Sequence, residues 1–321
     1  MFAKQTMLSA AIVVGLGGAV SADDGRGVFQ IGAGYHTDEG FIATASVETP
    51  DLLHTGLGVG EYATLSARRQ LFDFKLDVPD LARFDLYNDM RQLPGFTRKA
   101  VGLAMRHTMR LSRHVTAWVG YRLEQVSIER DSIERGFGPP DAAGLVSAVT
   151  TGFAYKGEHT QLGAYVDYAD PRLGSDHEIG TIGGWIATHQ PVGPLVLHLS
   201  GAGTAVTATG GVPLSERLFL DGSYDVRGYG FGAFGPVGGG TQKLVGHASL
   251  ELPVGHGVSV EGFIDYARIS NMEIESPIGT AHASGMSRGF GLIWKSPLGP
   301  IHADVAYPLD GPPQFFIAVG P

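Results

Sequence analysis

No cysteine occurs anywhere in the chain, acidic residues outnumber basic ones, and beyond Ala22 there is no long apolar run. Without disulfides, an exported fold must rest on packing or on closure of a sheet. The 23 Lys and Arg stand against 32 Asp and Glu, a net charge of −9, which argues against a nucleic-acid partner. No window after the first segment approaches the ~18 apolar residues of a spanning helix. The 12 histidines fall in no H-E-x-x-H or Cys/His spacing, so the sequence offers no metal centre and no cofactor. His198 and His302 read as isolated polar groups on interior strand faces. Gly285-Met286-Ser287-Arg288-Gly289 satisfies G-x-S-x-G, but a nucleophile elbow needs a strand, a sharp turn and a helix. Those residues run into a strand pattern instead. Gly56-Leu57-Gly58-Val59-Gly60 likewise lacks the strand-to-helix context of a nucleotide loop. The expectation is a protein that is not an enzyme.

What the chain does have is glycine, 48 residues of it, in a sequence that is 43 % hydrophobic. Residues 1–22 read as a secretory signal peptide: Lys4, then an apolar stretch from Met7 to Val20, then Val20-Ser21-Ala22 before Asp23-Asp24. The remainder, 23–321, reads as one domain with a period of two. Val101, Leu103, Met105, His107, Met109 and Leu111 share one face; Gly102, Ala104, Arg106, Thr108 and Arg110 share the other. Val115 to Glu124, Gln161 to Tyr168 and Ile301 to Tyr307 alternate in the same way.

A soluble sandwich would turn the apolar face inward, whereas a membrane barrel turns it to lipid. Segments of about 9–14 residues suit tilted bilayer-crossing strands better than the ~5–6 residues of soluble ones. The small and charged residues of the polar face would make a poor soluble core. Strands are expected near 27–36, 41–48, 56–69, 70–78, 82–92, 98–111, 115–129, 143–156, 159–169, 178–190, 195–207, 242–253, 257–268, 285–296, 299–308 and 314–320. The fold class is therefore all-β, a 16-stranded antiparallel transmembrane β-barrel. Short turns would face the periplasm. The longer stretches 130–142, 170–177, 208–241 and 269–284 would be extracellular loops. Outer-membrane lipids are the expected surroundings, and the bacterial outer membrane the expected location.

The connection 208–241 is too long to be a plain turn. Leu218, Phe219, Leu220, Tyr224, Tyr229 and Phe231 make it too apolar for a solvated tail, so it is expected to fold back into the lumen. Within it, Leu214-Ser215-Glu216-Arg217-Leu218-Phe219-Leu220-Asp221-Gly222 leads into Val226-Arg227-Gly228-Tyr229. This resembles the "L-S-E-R-F-F-L-G-G" and "V-R-G-Y/F" hallmark of the BamA/TamA superfamily, the bacterial surface antigen barrels. Gly34 to Gly40, Arg68-Arg69-Gln70 with Phe72, and the closing stretch Gly289 to Pro300 are similar to the same family, so the resemblance spans nearly the whole of 23–321.

The resemblance implies that two acids on adjacent strands clamp the loop arginine, here Glu251 and Asp265 around Arg227, with Gly228 and Tyr229 completing the motif. Lys243, His247 and Glu261 are expected to be hydrated lumen charges. Three departures stand out. The first strand follows the signal peptide without room for POTRA repeats, which makes this a barrel-only member. Ala267 replaces a usual glycine, and the chain ends Val319-Gly320-Pro321 rather than on an aromatic. The implied function is insertion or translocation of proteins at the outer membrane, through a weak seam between the first and last strands near Ile31 and Ile317. Unfolded outer-membrane proteins or a separate periplasmic protein would be partners. The alternative is a pore or structural barrel without insertase activity.

Overall fold

The computed structural model describes residues 28–52, 55–130, 143–234, 239–273, 280–296 and 299–319. The expected signal peptide and the loop 131–142 lie outside these. The described residues form sixteen strands: β1 (Val28–His36), β2 (Gly40–Thr49), β3 (Gly58–Ser66), β4 (Arg69–Val78), β5 (Ala82–Leu93), β6 (Phe96–Arg110), β7 (Val115–Arg130), β8 (Gly144–Lys156), β9 (Thr160–Ala169), β10 (Ile179–Val192), β11 (Leu195–Ala208), β12 (Gln242–Gly255), β13 (Val258–Glu273), β14 (Thr280–Ser296), β15 (Gly299–Pro308) and β16 (Gln314–Val319). Each pairs antiparallel with its chain neighbours, and β1 meets β16 to close a barrel.

The alternation decides which face points out. On β6, Val101 and Leu103 are 55 % and 47 % exposed, while Ala100 and Ala104 are 1 % and 0 %. Ile182 on β10, Leu244 on β12, Ile264 on β13 and Phe290 on β14 are also exposed. An apolar exterior of this kind belongs in a bilayer. The two main apolar clusters lie inside, toward the end that carries the long connections. One cluster gathers Ala100, Val126, Val146, Ile179 and Val206 around Val212; another gathers Val245, Ala267 and Ile269 around Leu220, Val226 and Tyr229.

Part of the glycine has a packing role. Tyr87, Trp118, Tyr165 and Phe263 each have a glycine as cross-strand partner: Gly102, Gly152, Gly183 and Gly289. The ring lies over the place where the partner's side chain would stand. A Cβ at Gly102 would come within 2.5 Å of the Tyr87 ring.

Two expectations are corrected. The third strand stops at Ser66, and residues 67–68 turn the chain into β4. The stretch 269–284 is mostly ladder, because β13 runs to Glu273 and β14 begins at Thr280. Alternation fails there because the register shifts between Ile269 and Met272, with Asn271 at φ 55°. Main-chain pairing continues through the bulge although the side-chain pattern does not.

The seam is the weakest joint. Tyr35 faces Val319 and His36 faces Ala318, whereas β1 and β2 pair through nine residues. Ile317 N–H donates to Thr37 Oγ1 at 3.1 Å, so Ile317 lies beside Thr37 and is not opposite Ile31. Among the described residues, Val28 to Gly34 have no ladder partner on the β16 side.

The aromatic-over-glycine packing gives a test. Gly102→Val should destabilise the barrel by about 1–3 kcal/mol through overpacking. Adding Tyr87→Ala should relieve part of that loss, as read from denaturant unfolding of the refolded protein. A neutral Gly102→Val, or strictly additive effects, would rule the packing role out.

Candidate functional site

The connection between β11 and β12 carries a 3-10 turn at Leu214–Glu216 and a second at Gly222–Tyr224. Its neck is closed by an antiparallel bridge in which Leu218 and Gly240 exchange N–H donors at 2.8 Å. The first turn is anchored to the wall by Arg98 of β6. Its Nε donates to Ser215 O at 3.1 Å, and its Nη2 donates to Glu124 of β7 at 2.9 Å and to Glu216 at 3.0 Å. Lys243 of β12 reaches Asp225 at 2.6 Å and Phe219 O at 2.8 Å.

The second turn meets the start of the barrel. Ser223 N–H donates to Asp38 at 2.9 Å, the Tyr224 hydroxyl donates to Glu39 at 2.5 Å, and the Tyr224 ring stacks on His36 at 4.0 Å. Arg68 pairs with Asp221 and lies over the Phe231 ring at 3.6 Å.

Arg227 follows at the centre. Its Nε and Nη2 form a fork on the two oxygens of Asp265 at 2.8 and 3.0 Å, and its backbone N–H adds a third bond at 3.2 Å. Nη1 donates to Glu261 at 2.8 Å and to Asp304 of β15 at 3.4 Å. The guanidinium lies 3.3 Å over the ring of Phe263. Burial lowers the pKa of this group, and the hydrogen bonds to Asp265 more than reverse that, so the charge is held above the ordinary arginine range. A planar fork matched to a carboxylate is something lysine cannot offer.

Gly228 has φ 98°, and a Cβ there would stand 3.1 Å from Pro308 Cδ, so both backbone and space require glycine. The Tyr229 hydroxyl donates to Asp310, in the turn between β15 and β16, and to Met286 O at 3.3 Å. Burial and then the Asp310 bond push the Tyr229 phenol up to about 12, so it stays a donor at neutral pH.

The structure thus brings together Arg227, Gly228, Tyr229 and Asp265. It does not bring in Glu251, which sits 2.9 Å from His198 Nε2 instead. The second acid of the clamp is Glu261, with Asp304 beyond it. The reason is register and lean. Glu251 faces Glu261 across the ladder while His247 faces Asp265, and the guanidinium lies over β13 and inclines toward β15, away from β12. The usable signal was Glu261-x-Phe263-x-Asp265, two acids flanking an aromatic on one strand face. Lys243 and His247 are also more than hydrated charges: Lys243 is buried against Asp225, and His247 Nδ1 lies 3.1 Å from Asp265. Ser287 of the G-x-S-x-G stretch lies within β14, opposite Asp265 and Pro308, with no helix after it among the described residues.

A double-mutant cycle separates the partners. Arg227→Ala should cost roughly 3–5 kcal/mol where the remaining acids stay buried, and less to the extent that water reaches them. Arg227 and Asp265 should couple strongly in unfolding measurements, and Arg227→Lys should not restore stability. Arg227 and Glu251 should be additive within ~0.3–0.5 kcal/mol. Strong coupling to Glu251, or none to Asp265, would contradict this geometry.

The sequence model of the Omp85 superfamily domain matches residues 153–314, half of the chain. No curated protein matches. Among solved structures, BamA from Haemophilus ducreyi lacking POTRA domains 1-3 superposes with a TM-score of 0.76 at 16 % identity, over 92 % of this chain and 70 % of that one. CdiB from Acinetobacter baumannii gives a TM-score of 0.54 at 12 % identity, over 90 % of this chain and 58 % of that one. CdiB from Escherichia coli gives 0.56 at 10 % identity, over 89 % and 62 %. At these identities the structures speak for the fold, and this chain spans less than two thirds of either CdiB. With the superfamily domain matched across its second half and the closed sixteen-strand barrel shared, the chain belongs to the Omp85 superfamily.

Proposed function

We propose that this barrel works in the bacterial outer membrane, inserting proteins into that membrane or moving them across it. Residues 1–22 would direct its export, and unfolded outer-membrane proteins, brought by a periplasmic partner, would be its clients. The mechanism is physical and makes or breaks no covalent bond.

The observation that carries the reading is the seam. A free strand edge presents a row of unpaired N–H and C=O groups, and an incoming strand can add to it by β-augmentation. The edge of β1 from Val28 to Gly34 has that character among the described residues. Among the described residues, what holds β1 to β16 is two ladder pairs and the Thr37 bridge, so parting them is a small cost beside opening any other joint. The outward apolar strands keep the rest of the barrel in contact with lipid, and the bound edge would pass directly into the bilayer.

The absence of native cysteine makes the test clean. Cysteines at His36 and Ala318, which face each other across the seam, should crosslink under oxidation. Oxidised cells should lose assembly of other outer-membrane proteins, and reductant should restore it. Full assembly with the seam quantitatively locked would exclude lateral opening. Ion conductance without any loss of assembly on depletion of the protein would instead make it a pore.

A further inference from the structure

The acids around Arg227 outnumber the charge that holds them. Asp265, Glu261 and Asp304 all contact one guanidinium, three carboxylates on one positive charge. Among the described residues, Asp304 Oδ1 is buried with no hydrogen-bond partner, although the whole residue is only 6 % exposed. An orphan carboxylate oxygen costs free energy unless something cationic meets it.

Three strands supply the setting. Glu261 of β13 and Asp304 of β15 both face Gly291 of the intervening β14. Any side chain at 291 would collide with Asp304 Oδ1, so the glycine is what leaves room between the two carboxylates. His302, two residues before Asp304 on the same face of β15, brings an imidazole to that space. One ligand atom from each of Glu261, His302 and Asp304 lies within 4.8 Å of the other two. Arg227 takes Glu261 Oε1 and Asp304 Oδ2, and Oδ1 of Asp304 remains available.

We propose that Glu261, His302 and Asp304 form a site for a divalent transition-metal ion, of which Zn2+ is the natural probe. One imidazole and two carboxylates are a donor set that zinc accepts at ~2.0–2.2 Å, with further positions for water. Its positive charge offsets carboxylates that outnumber the one guanidinium. The guanidinium becomes the outer partner that orients both carboxylates, the usual arrangement behind metal ligands. The ion would tie β13 to β15 beneath the Arg227 contact. The site stands on its own geometry and does not depend on the insertion reading.

The experiment uses the full barrel, refolded in detergent and stripped with chelator, titrated with Zn2+ by calorimetry. The wild-type protein should bind one ion that His302→Ala weakens by about tenfold or more, since even outer-shell changes cost ~10–100-fold. Among the described residues no hydrogen bond joins His302 to Arg227, and heat-modifiable migration should confirm a folded variant. His198→Ala, outside the cluster, should leave binding intact. Co2+ added to the wild-type protein should give visible ligand-field absorption that Zn2+ removes, a readout that needs no variant. Equal zinc affinity in wild type and His302→Ala, as ions held only by surface histidines would give, overturns the proposal. No zinc binding, or no cobalt spectrum, overturns it as well.

Discussion

A guanidinium brought into the interior of a barrel cannot be left short of partners, and Arg227 organises its surroundings accordingly. Removing one side of such a buried pair costs several kcal/mol, so the chain that carries it is held to its acids. Three donors go to Asp265, one NH2 group to Glu261 and Asp304, and the flat face to Phe263. Phe263 in turn lies over Gly289, so the glycine on β14 is part of the same requirement. With Arg227 held over β13, Gly228 must turn through a left-handed conformation against Pro308, and Tyr229 is delivered to Asp310.

The connection is held from several sides at once. Arg98 joins it to β6 and β7, Lys243 to β12, and Arg68 to the turn before β4. Each contact pairs a charge on the connection with one on the wall, or a wall charge with a main-chain oxygen. Hydrogen bonds to charged groups contribute about 1.5–3 kcal/mol net each. The apolar residues Leu220, Val226 and Tyr229 then fill the space between the pairs.

Strand number and the direction of the apolar face were legible because a bilayer-facing sheet repeats every two residues, but the limits of β3, β13 and β14 were not. Arg227 as the buried charge and Asp265 as an inward acid were legible on the same basis, together with the motif of the connection. Register was not. A period of two says that Glu251 and Asp265 point inward, but not that the ladder sets His247 opposite Asp265 and Glu251 opposite Glu261. The hairpin between β12 and β13 contains a shift at Pro253–Gly255, so counting back from the turn misplaces partners. Glu261 was read as a hydrated lumen charge and Asp304 was not singled out, and their significance comes only from lying on either side of one glycine. The pattern likewise stops at Ile269, whereas the ladder continues, because backbone pairing outside an apolar slab needs no alternation.

The same connection touches both sides of the seam, and the contacts are unequal. Toward β1 and β2 it offers Ser223 and Tyr224 to Asp38 and Glu39, with one ring stacked on His36. Toward β13 to β16 it offers the Arg227 cluster, Gly228 against Pro308, and Tyr229 with Asp310. Two ladder pairs at about 0.5–1.5 kcal/mol per bond are weaker than either set. In the proposed mechanism, parting the seam then means releasing one of the two sets, and the second contains the charge that cannot be left unpaired. The connection therefore stays with β13 to β16, and the strand edge that moves away is that of β1, still held to β2 through their nine-residue ladder. That places the freed edge on β1, which stays paired to β2 as β2 does to β3 through their own eight-pair ladder, while the buried arginine and its acids hold the opposite wall in place.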